Sequence, residues 1–354
     1  MLKKFLTTGD KLGFTQSSGD PCVFFKNTAK GRIIIGLYVD DTLILYDDEE
    51  EYQELLRAIT GDFDYTEQAP LTDLCGIEVK ETEGYIQLTQ TAKIEKLAEE
   101  FLTENERNEV VHVPATDKLE SIVEAALAQT SEPEFVLLDT TRALSGALLH
   151  IFVTVRVDIG YAMGIITRAV NKPTPELLEE LKRVLKYLYN TRYYGLRYTR
   201  GGSVLLEGMS DSDWGTKASI SAYVFMLACA VVSYLSKKQP TIAMASQEAE
   251  IYASSLAGLE AGFLRILIGE ITGIIKGPTT VYVDNSGAVS FANDYVSNSR
   301  VRHYSRRHLK VRELVEQGIV DVKKIGTDDN VADLLSKALG RRKFEKFRKL
   351  VLNM

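Results

Sequence analysis

The C-terminal half of the chain carries an apolar pattern whose period changes several times in a fixed order. The predicted strands are 203–210, 220–228, 231–235, 279–283 and 319–325, and the predicted helices are 246–271, 286–292, 303–317 and 330–339. The order is three strands, a long helix, a strand, two helices, a strand and a final helix. This order predicts an α/β fold, a mixed five-stranded sheet with helices packed on it.

Four acidic residues lie at the ends of these predicted elements. Asp211 ends the first strand and Asp284 the fourth, Glu250 lies in the first turns of the long helix, and Asp333 begins the last helix. In-line cleavage of a phosphodiester needs an activated water and a neutralised leaving oxygen. A pair of Mg²⁺ ions held by hard oxygen ligands supplies both. Each acid taken singly is better explained as a cap or a solvated side chain, whereas the four in this order favour a metal site.

Glu250 is preferred over Glu248 as the acid of the long helix. Glu250, Ser254, Ala257 and Ala261 recur at spacings of four, three and four, so they share one face. Beyond the glutamate this face is small, which would let the helix lie close to a sheet. The start of a predicted helix is uncertain by a residue or two, so Glu248 remains an alternative.

Near the N-terminus, two apolar runs flank an acidic pair. The runs 33–37 and 42–46 are joined through Tyr38-Val39-Asp40-Asp41, which predicts a hairpin with its carboxylates at the tip. Two adjacent aspartates about 4 Å apart have a repulsion energy on the order of 4 kcal/mol at an effective dielectric constant of about 20. A cation bound between them would offset this repulsion. Spacing alone favours an exposed turn without a ligand, because turns accept Asp readily.

The rest of the pattern divides the chain into three predicted segments, 1–110, 111–202 and 203–354. The first contains a predicted helix at 47–59, a hairpin of 74–79 with 85–88, and an amphipathic helix at 89–102. Residues 111–134 have a looser pattern with two prolines and are interpreted as a linker. Helices are predicted at 141–167 and 175–190, the latter with Thr174 as N-cap and Pro175 in its first turn.

Composition is that of a globular protein, with 45% hydrophobic and 26% charged residues in 354. Cys75 and Cys229 lie in apolar stretches, which predicts buried free thiols rather than disulfides or a metal site. The apolar stretch 222–235 contains a serine and is too short to span a bilayer. We therefore expect a soluble, intracellular protein without a membrane partner.

Charge is distributed unevenly along the chain. The formal net charge of −7 argues against a generally basic nucleic-acid coat. Basic residues nevertheless crowd the stretches 300–312 and 341–349. Each stretch is either a phosphate-contacting face or, more commonly, the solvated side of a helix.

Ordered motifs run along nearly the whole chain. In the first segment they are Ser18-Gly19-Asp20-Pro21-Cys22-Val23-Phe24, the Tyr38-Val39-Asp40-Asp41 hairpin and Gly76-Ile77-Glu78-Val79. In the last segment they include Ser210-Asp211-Ser212-Asp213-Trp214-Gly215, Glu248-Ala249-Glu250, Val283-Asp284-Asn285 and Ala332-Asp333-Leu334-Leu335-Ser336-Lys337. Together these motifs resemble the Pol polyprotein of copia-type retrotransposons, from the C-terminal part of its reverse transcriptase through its ribonuclease H domain.

The resemblance implies a palm and thumb remnant, a helical connection and a ribonuclease H-like domain in the three segments. It implies that a pair of Mg²⁺ ions, with Mn²⁺ as an alternative, serves cleavage of the RNA strand of an RNA–DNA hybrid. The implied ligands of that site are Asp211, Glu250, Asp284 and Asp333, while Asp40 and Asp41 belong to the polymerase site. Contacts to the hybrid are expected from Lys237, Lys238, Arg302, His303 and Arg307.

The chain also departs from the family's pattern. The polymerase site needs a third aspartate from a strand upstream of the hairpin, and no residue here matches it. Val157 replaces a usual proline, and Ser305 replaces a usual aspartate.

Two hypotheses follow. The first is a ribonuclease H joined to an incomplete reverse transcriptase. The second is an inactive transposon remnant that binds nucleic acid or completes a polymerase in trans with a partner chain. The expected location is the cytoplasm, in a virus-like particle for an active element, with the nucleus as an alternative.

Overall fold

The structure is a computed structural model that describes residues 9–60, 69–214, 219–274, 277–294 and 306–354, without the side chains of residues 60, 306 and 307. The chain forms two compact units. The first combines Met1–Cys75 with Glu260–Gly277, and the second combines Gly76–Leu259 with Pro278–Met354. The segment bounds 1–110, 111–202 and 203–354 rest on sequence alone and stay a prediction.

The first unit contains an antiparallel sheet of four strands in the order β1-β2-β3-β4. Its elements are β1 (Thr15–Gln16), β2 (Val23–Asn27), β3 (Arg32–Tyr38), β4 (Asp41–Tyr46), α1 (Glu49–Thr60) and the short β5 (Asp73–Leu74). Alternate residues of β3, Ile33, Ile35 and Leu37, are buried with Phe24 and with Leu55 of α1. The period of two along β3 therefore builds this core.

The second unit begins with a hairpin and a set of helices. Its strands before the main sheet are β6 (Ile77–Glu81), β7 (Tyr85–Thr89) and β8 (Leu196–Thr199), which pair antiparallel. Its helices are α2 (Thr91–Phe101), α3 (Glu104–Asn108), α4 (Leu119–Ala128), α5 (Phe135–Thr154), α6 (Gly160–Ile166) and α7 (Pro175–Asn190). Thr174 caps α7 as predicted, because its hydroxyl accepts a hydrogen bond of 3.2 Å from the Leu177 N–H.

The main sheet has five strands in the order β11-β10-β9-β12-β13. The strands are β9 (Glu207–Asp213), β10 (Ile220–Leu227), β11 (Ala230–Lys238), β12 (Thr279–Val283) and β13 (Val320–Lys324). The first three are antiparallel, whereas β12 runs parallel to β9 and β13 parallel to β12. The helices are α8 (Ser246–Thr272), α9 (Ser286–Asn293), α10 (Arg306–Glu316), α11 (Asp333–Ser336) and α12 (Arg341–Leu352). The predicted mixed five-stranded sheet with helices packed on it is confirmed.

The core of the second unit lies against one face of this sheet. Ile220, Ala222 and Val224 of β10 are buried there, together with residues of α5, α6, α7 and α12. On the other face, the ring of Phe225 covers Gly208 of β9, where an added Cβ would collide with it. Glycine at 208 therefore lets Phe225 lie flat across the neighbouring strand.

Several local predictions need correction. The second hairpin starts at Ile77 instead of residue 74, because Cys75 and Gly76 both have positive φ and interrupt the extended chain. The predicted linker contains α4, whose Leu119, Val123 and Ala126 are buried at helical spacing. The predicted helix 330–339 is limited to α11.

Two further differences lie at a turn and at the C-terminus. Cys229 is exposed instead of buried, because it lies at positive φ in the turn between β10 and β11. For residues 341–349 the sequence favoured the solvated side of a helix as the commoner alternative, and it did not predict that Phe344, Phe347 and Val351 are buried on one face of α12. Its many basic residues hid this apolar stripe.

Two described helices, α5 and α8, are long and apolar enough to cross a membrane by length and composition alone. Core helices of soluble proteins meet the same criterion. Within α8, the buried positions include Glu250, Ser254 and Ser255.

Candidate metal centre

Three carboxylates from three different elements of the second unit come together. One oxygen each of Asp211, Glu250 and Asp284 lie within 4.8 Å of one another, on β9, near the start of α8 and directly after β12. In the described part of the chain, this is the group of three acidic, histidine or cysteine side chains close enough to share a cation. Asp333 is not a member of it.

Strand pairing explains why Asp211 and Asp284 are neighbours. Val283 pairs with Ser210 across the parallel strands β12 and β9, so the next residue of each strand is an aspartate at the same edge. Asp211 is fully buried and lies within β9, opposite Ala222, because the strand continues to Asp213. The prediction that Asp211 ends its strand was therefore wrong by two residues.

The small face of α8 brings Glu250 to the strand, as its sequence predicts. Ser254 and Ala257 are buried, and the Ser254 hydroxyl lies 3.4 Å from that of Ser210 on β9. The Ser212 N–H donates a 3.2 Å hydrogen bond to Glu250 Oε1. Glu248 is directed elsewhere: its carboxylate accepts a hydrogen bond from the Met244 N–H and lies 3.7 Å from His308 Nε2.

The other oxygen of Glu250 is the clearest sign that the site fits a cation. Glu250 is 5% exposed, and its Oε2 has no hydrogen-bond partner among the described residues. A buried carboxylate oxygen without a partner is costly unless a cation or a proton balances it. Three carboxylates without cysteine or histidine ligands are the donor set that hard divalent cations prefer.

The protonation equilibria of the site reflect the same crowding. Burial raises the pKa of Asp211 to about 6, the nearby Asp333 and Asp284 add to the rise, and the Lys337 ammonium opposes it. Burial, followed by the charges of Asp211 and Asp284, raises the pKa of Glu250 to about 9. Without a cation, Glu250 therefore holds a proton at neutral pH that a bound cation would displace.

Asp333 lies at the start of α11 and is 1% exposed. Its Oδ1 accepts a hydrogen bond of 2.8 Å from Lys337 Nζ, and its Oδ2 accepts one of 2.6 Å from Lys343 Nζ. Lys337 Nζ also lies 3.1 Å from Asp211 Oδ2. The fourth predicted acid is thus connected to Asp211 through a shared lysine.

Sequence reasoning missed the residues that hold Asp211 and Asp333 in place. The Ser336 hydroxyl donates a hydrogen bond to Asp211 Oδ2, and the Asn330 side-chain amide donates one of 3.0 Å to the Ser210 carbonyl. The contact between Lys337 and Asp333 could have been predicted, because a spacing of four brings an acid and a base together on a helix. No comparable signal pointed to Lys343.

The acidic hairpin of the first unit forms as predicted. Tyr38 pairs with Asp41, so Val39 and Asp40 make a two-residue turn, and both aspartates are exposed. Cys75 Sγ lies 3.6 Å from Asp41 Oδ2. Among the described residues, no third carboxylate joins these two to form a group that could hold a cation.

The predicted hybrid-contacting residues are only partly described. Lys237 and Lys238 are exposed at the end of the edge strand β11. Arg302, His303 and the side chain of Arg307 lie outside the described residues.

The basic C-terminal stretch is largely committed to contacts within the protein. Lys343 contacts Asp333, Lys346 contacts Asp329, and Arg348 donates to the Tyr187 hydroxyl. These three side chains therefore stabilise the fold of the second unit instead of forming a continuous phosphate-contacting face.

Comparison with known proteins finds a family match for the N-terminal part of the chain and relatives along nearly its whole length. Residues 2–115 match the family described as reverse transcriptase (RNA-dependent DNA polymerase). The chain is 28% identical over 96% of its length to the retrovirus-related Pol polyprotein from transposon TNT 1-94 of Nicotiana tabacum. It is 29% identical over 98% of its length to that from transposon RE1 of Arabidopsis thaliana. The matches cover 26% and 23% of these relatives, so the chain spans about a quarter of their length.

A shorter relative and a solved structure match parts of the chain. Secreted RxLR effector protein 161 of Plasmopara viticola is 41% identical over 34% of this chain and 88% of its own length. An N-terminal RNase H domain from Mycobacterium tuberculosis, solved as a fusion with maltose-binding protein, covers 42% of this chain and 98% of that chain at 12% identity. Its TM-score of 0.30 is too low to carry an argument. The chain is therefore similar over nearly its whole length to the Pol polyproteins of copia-type retrotransposons, and its residues 2–115 match the reverse transcriptase family.

Proposed function

We propose that the second unit is a divalent-cation-dependent ribonuclease H that cleaves the RNA strand of RNA–DNA hybrids, with Mg²⁺ as the physiological cation and Mn²⁺ as a substitute. The observation that carries this proposal is the convergence of Asp211, Glu250 and Asp284 around an unpartnered, buried oxygen of Glu250. An ordinary buried structural cluster would have satisfied that oxygen.

In this proposal the three carboxylates hold the cation and the surrounding residues fix their orientation. A bound divalent cation supplies Lewis acidity, which activates water and neutralises the leaving oxygen of a phosphodiester. The Ser212 N–H orients Glu250, and the Ser336 hydroxyl orients Asp211. Because these groups lie on a strand and two helices, the ligands are held by rigid elements.

The hybrid itself is proposed to bind partly through the exposed lysines at the end of β11. Lys237 and Lys238 are adjacent in sequence and exposed, and ammonium groups contact phosphates without reading sequence. We expect the double change Lys237→Ala with Lys238→Ala to weaken hybrid binding and to reduce its salt dependence by about two phosphate contacts. Fluorescence anisotropy at several salt concentrations measures both. An unchanged salt slope would assign these lysines to an ordinary solvated edge.

For the first unit we propose no primer extension by this chain alone. Two exposed aspartates at a turn, without a third carboxylate among the described residues, do not make a complete polymerase site. A primer–template assay with Mg²⁺ checks this, and clear extension would overturn it. A polymerase completed in trans by a partner chain would extend a primer only in a mixture.

Cleavage of a labelled RNA–DNA hybrid by the purified chain tests the nuclease. We expect Mg²⁺-dependent cleavage of the RNA strand, which Asp284→Asn abolishes because a neutral amide cannot replace an anionic ligand. Asp321→Asn is the matched control, since Asp321 lies on β13 and pairs with Lys323. Absent cleavage, or cleavage that Asp284→Asn leaves intact, would favour the inactive, nucleic-acid-binding remnant.

A further inference from the structure

The ammonium group of Lys337 occupies the space between two buried acids. Its Nζ lies 3.2 Å from Asp211 Oδ1, 3.1 Å from Asp211 Oδ2 and 2.8 Å from Asp333 Oδ1. Asp211 and Asp333 are 0% and 1% exposed, so water screens neither charge. A positive charge is therefore already present on one side of the carboxylate site.

Asp333 is held from its other side as well. Lys343, from α12, lies 2.6 Å from Asp333 Oδ2 and 3.1 Å from the Thr327 carbonyl. Both oxygens of Asp333 thus have a lysine partner. This arrangement differs from that of Glu250, whose Oε2 has no partner among the described residues.

The two halves of the site are therefore unequal. Asp211, Glu250 and Asp284 have oxygens within 4.8 Å of one another, and among the described residues the ammonium group that contacts their carboxylates is that of Lys337, on Asp211. The half formed by Asp211 and Asp333 is already neutralised by ammonium groups. A divalent cation entering that half would meet the repulsion of Lys337 at close range, in surroundings that screen charge weakly.

We propose that Lys337 is a built-in cation that limits the substrate-free protein to one tightly bound divalent ion, at Asp211, Glu250 and Asp284. A second ion binds next to Asp333 only when the ammonium group moves aside. This inference rests on the proposed function, since it concerns the same carboxylates. Lys337 is suited to such movement because its side chain is 32% exposed and sits on a flexible four-carbon stem. Lys343 acts as a positioning residue that keeps Asp333 directed toward Lys337.

Counting bound Mn²⁺ in the full chain without substrate tests this directly. Electron paramagnetic resonance of free Mn²⁺, together with titration calorimetry, gives the number and affinity of the sites. We expect one strong site in the natural chain. In Lys337→Met we expect a second site to strengthen by about tenfold or more, because a neighbouring positive charge is removed. Adding Asp333→Asn to Lys337→Met should remove the gain.

Lys346→Met is the matched control. Lys346 lies on α12, as Lys343 does, but it pairs with Asp329 instead of Asp333. Lys343→Met provides a second test should Lys337→Met fail to fold, as judged by thermal unfolding. With Oδ2 of Asp333 released, we expect a smaller gain of the same sign at the second site.

The outcomes separate this inference from the proposed function. Two equally strong sites in the natural chain, or a second site that neither lysine variant strengthens, would overturn the inference and leave the nuclease intact. Absence of any Mn²⁺ binding that depends on Glu250, in the natural chain and in Lys337→Met alike, would overturn both.

Discussion

The chain holds two clusters of acids with opposite physical settings. Asp40 and Asp41 are exposed at the tip of a two-residue turn, whereas Asp211 and Glu250 are buried on rigid elements of a sheet and a helix. Water screens the repulsion at the hairpin, so the pair needs no ligand. At the sheet, burial leaves the carboxylates to be neutralised by protons, by Lys337 or by a cation.

The comparison shows that a sequence motif can be easy to recognise without forming a complete cation site. The hairpin motif is the easier one to recognise in the sequence, yet its two acids gather no third carboxylate among the described residues. The acids of the second unit are scattered over more than seventy residues, from Asp211 to Asp284, and nevertheless converge. Convergence depends on strand order and register, which a short motif does not encode.

The largest expected effect is the loss of the proposed hybrid cleavage at the buried site. Glu250→Gln should lower the rate of hybrid cleavage by roughly a thousandfold or more, because several kcal/mol of charge stabilisation by the bound cation are lost. Single-turnover cleavage of a labelled hybrid measures this. The double change Asp40→Asn with Asp41→Asn should leave that rate unchanged within the error of the assay. Similar losses in both variants would erase the distinction between the two clusters.

The next effect is on the pH dependence of stability without metal. The pKa of Glu250 is raised to about 9 in the folded chain, above its value of about 4.3 in an unfolded chain. The folded state therefore keeps a proton that the unfolded state releases. This contribution to stability is complete below the unfolded pKa and is lost as pH rises through the folded pKa.

Urea unfolding in a chelator at pH 5, 7 and 9 measures this dependence. We expect the free energy of unfolding to fall toward pH 9 by on the order of 1–3 kcal/mol more in the natural chain than in Glu250→Gln. Added Mg²⁺ should reduce the fall, because the cation stabilises the ionised carboxylates. Equal pH dependence in both proteins would show that burial at Glu250 does not shift its titration.

The smallest effect is expected at the hairpin turn. Val39 has φ of 53°, a left-handed conformation that costs a β-branched residue about 1–2 kcal/mol. Val39→Gly should therefore stabilise the turn by about 0.5 kcal/mol, after the extra entropy lost by glycine. Hydrogen exchange of the β3 and β4 amides reports the local opening free energy.

Val110→Gly is the matched control for the turn. Val110 is 73% exposed and Val39 is 74% exposed, but Val110 has an ordinary φ. The Val110→Gly variant should show no gain in hydrogen-exchange protection of the β3 and β4 amides. Lower protection of the hairpin in Val39→Gly would mean that the valine side chain stabilises the turn more than its backbone strains it.

Sequence by itself determined the order of the elements and the candidate ligands. The period of two in β3, the cap at Thr174 and the small face of α8 all have local causes, so residue type and spacing suffice to predict them. Some local predictions still differ from the structure. Positive φ at Cys75 delays the start of a strand, and the basic residues of α12 conceal its buried apolar face in the sequence.

Only the tertiary structure decided which acids meet. Asp211 and Asp284 became neighbours through the parallel register of β9 with β12, and Asp333 was separated from the group by the ammonium of Lys337. Lys343 comes from a helix whose buried face the sequence pattern did not predict. These facts depend on residues far apart in the chain, and the physical reason is that charge interacts through distance in space and through burial, neither of which sequence spacing specifies.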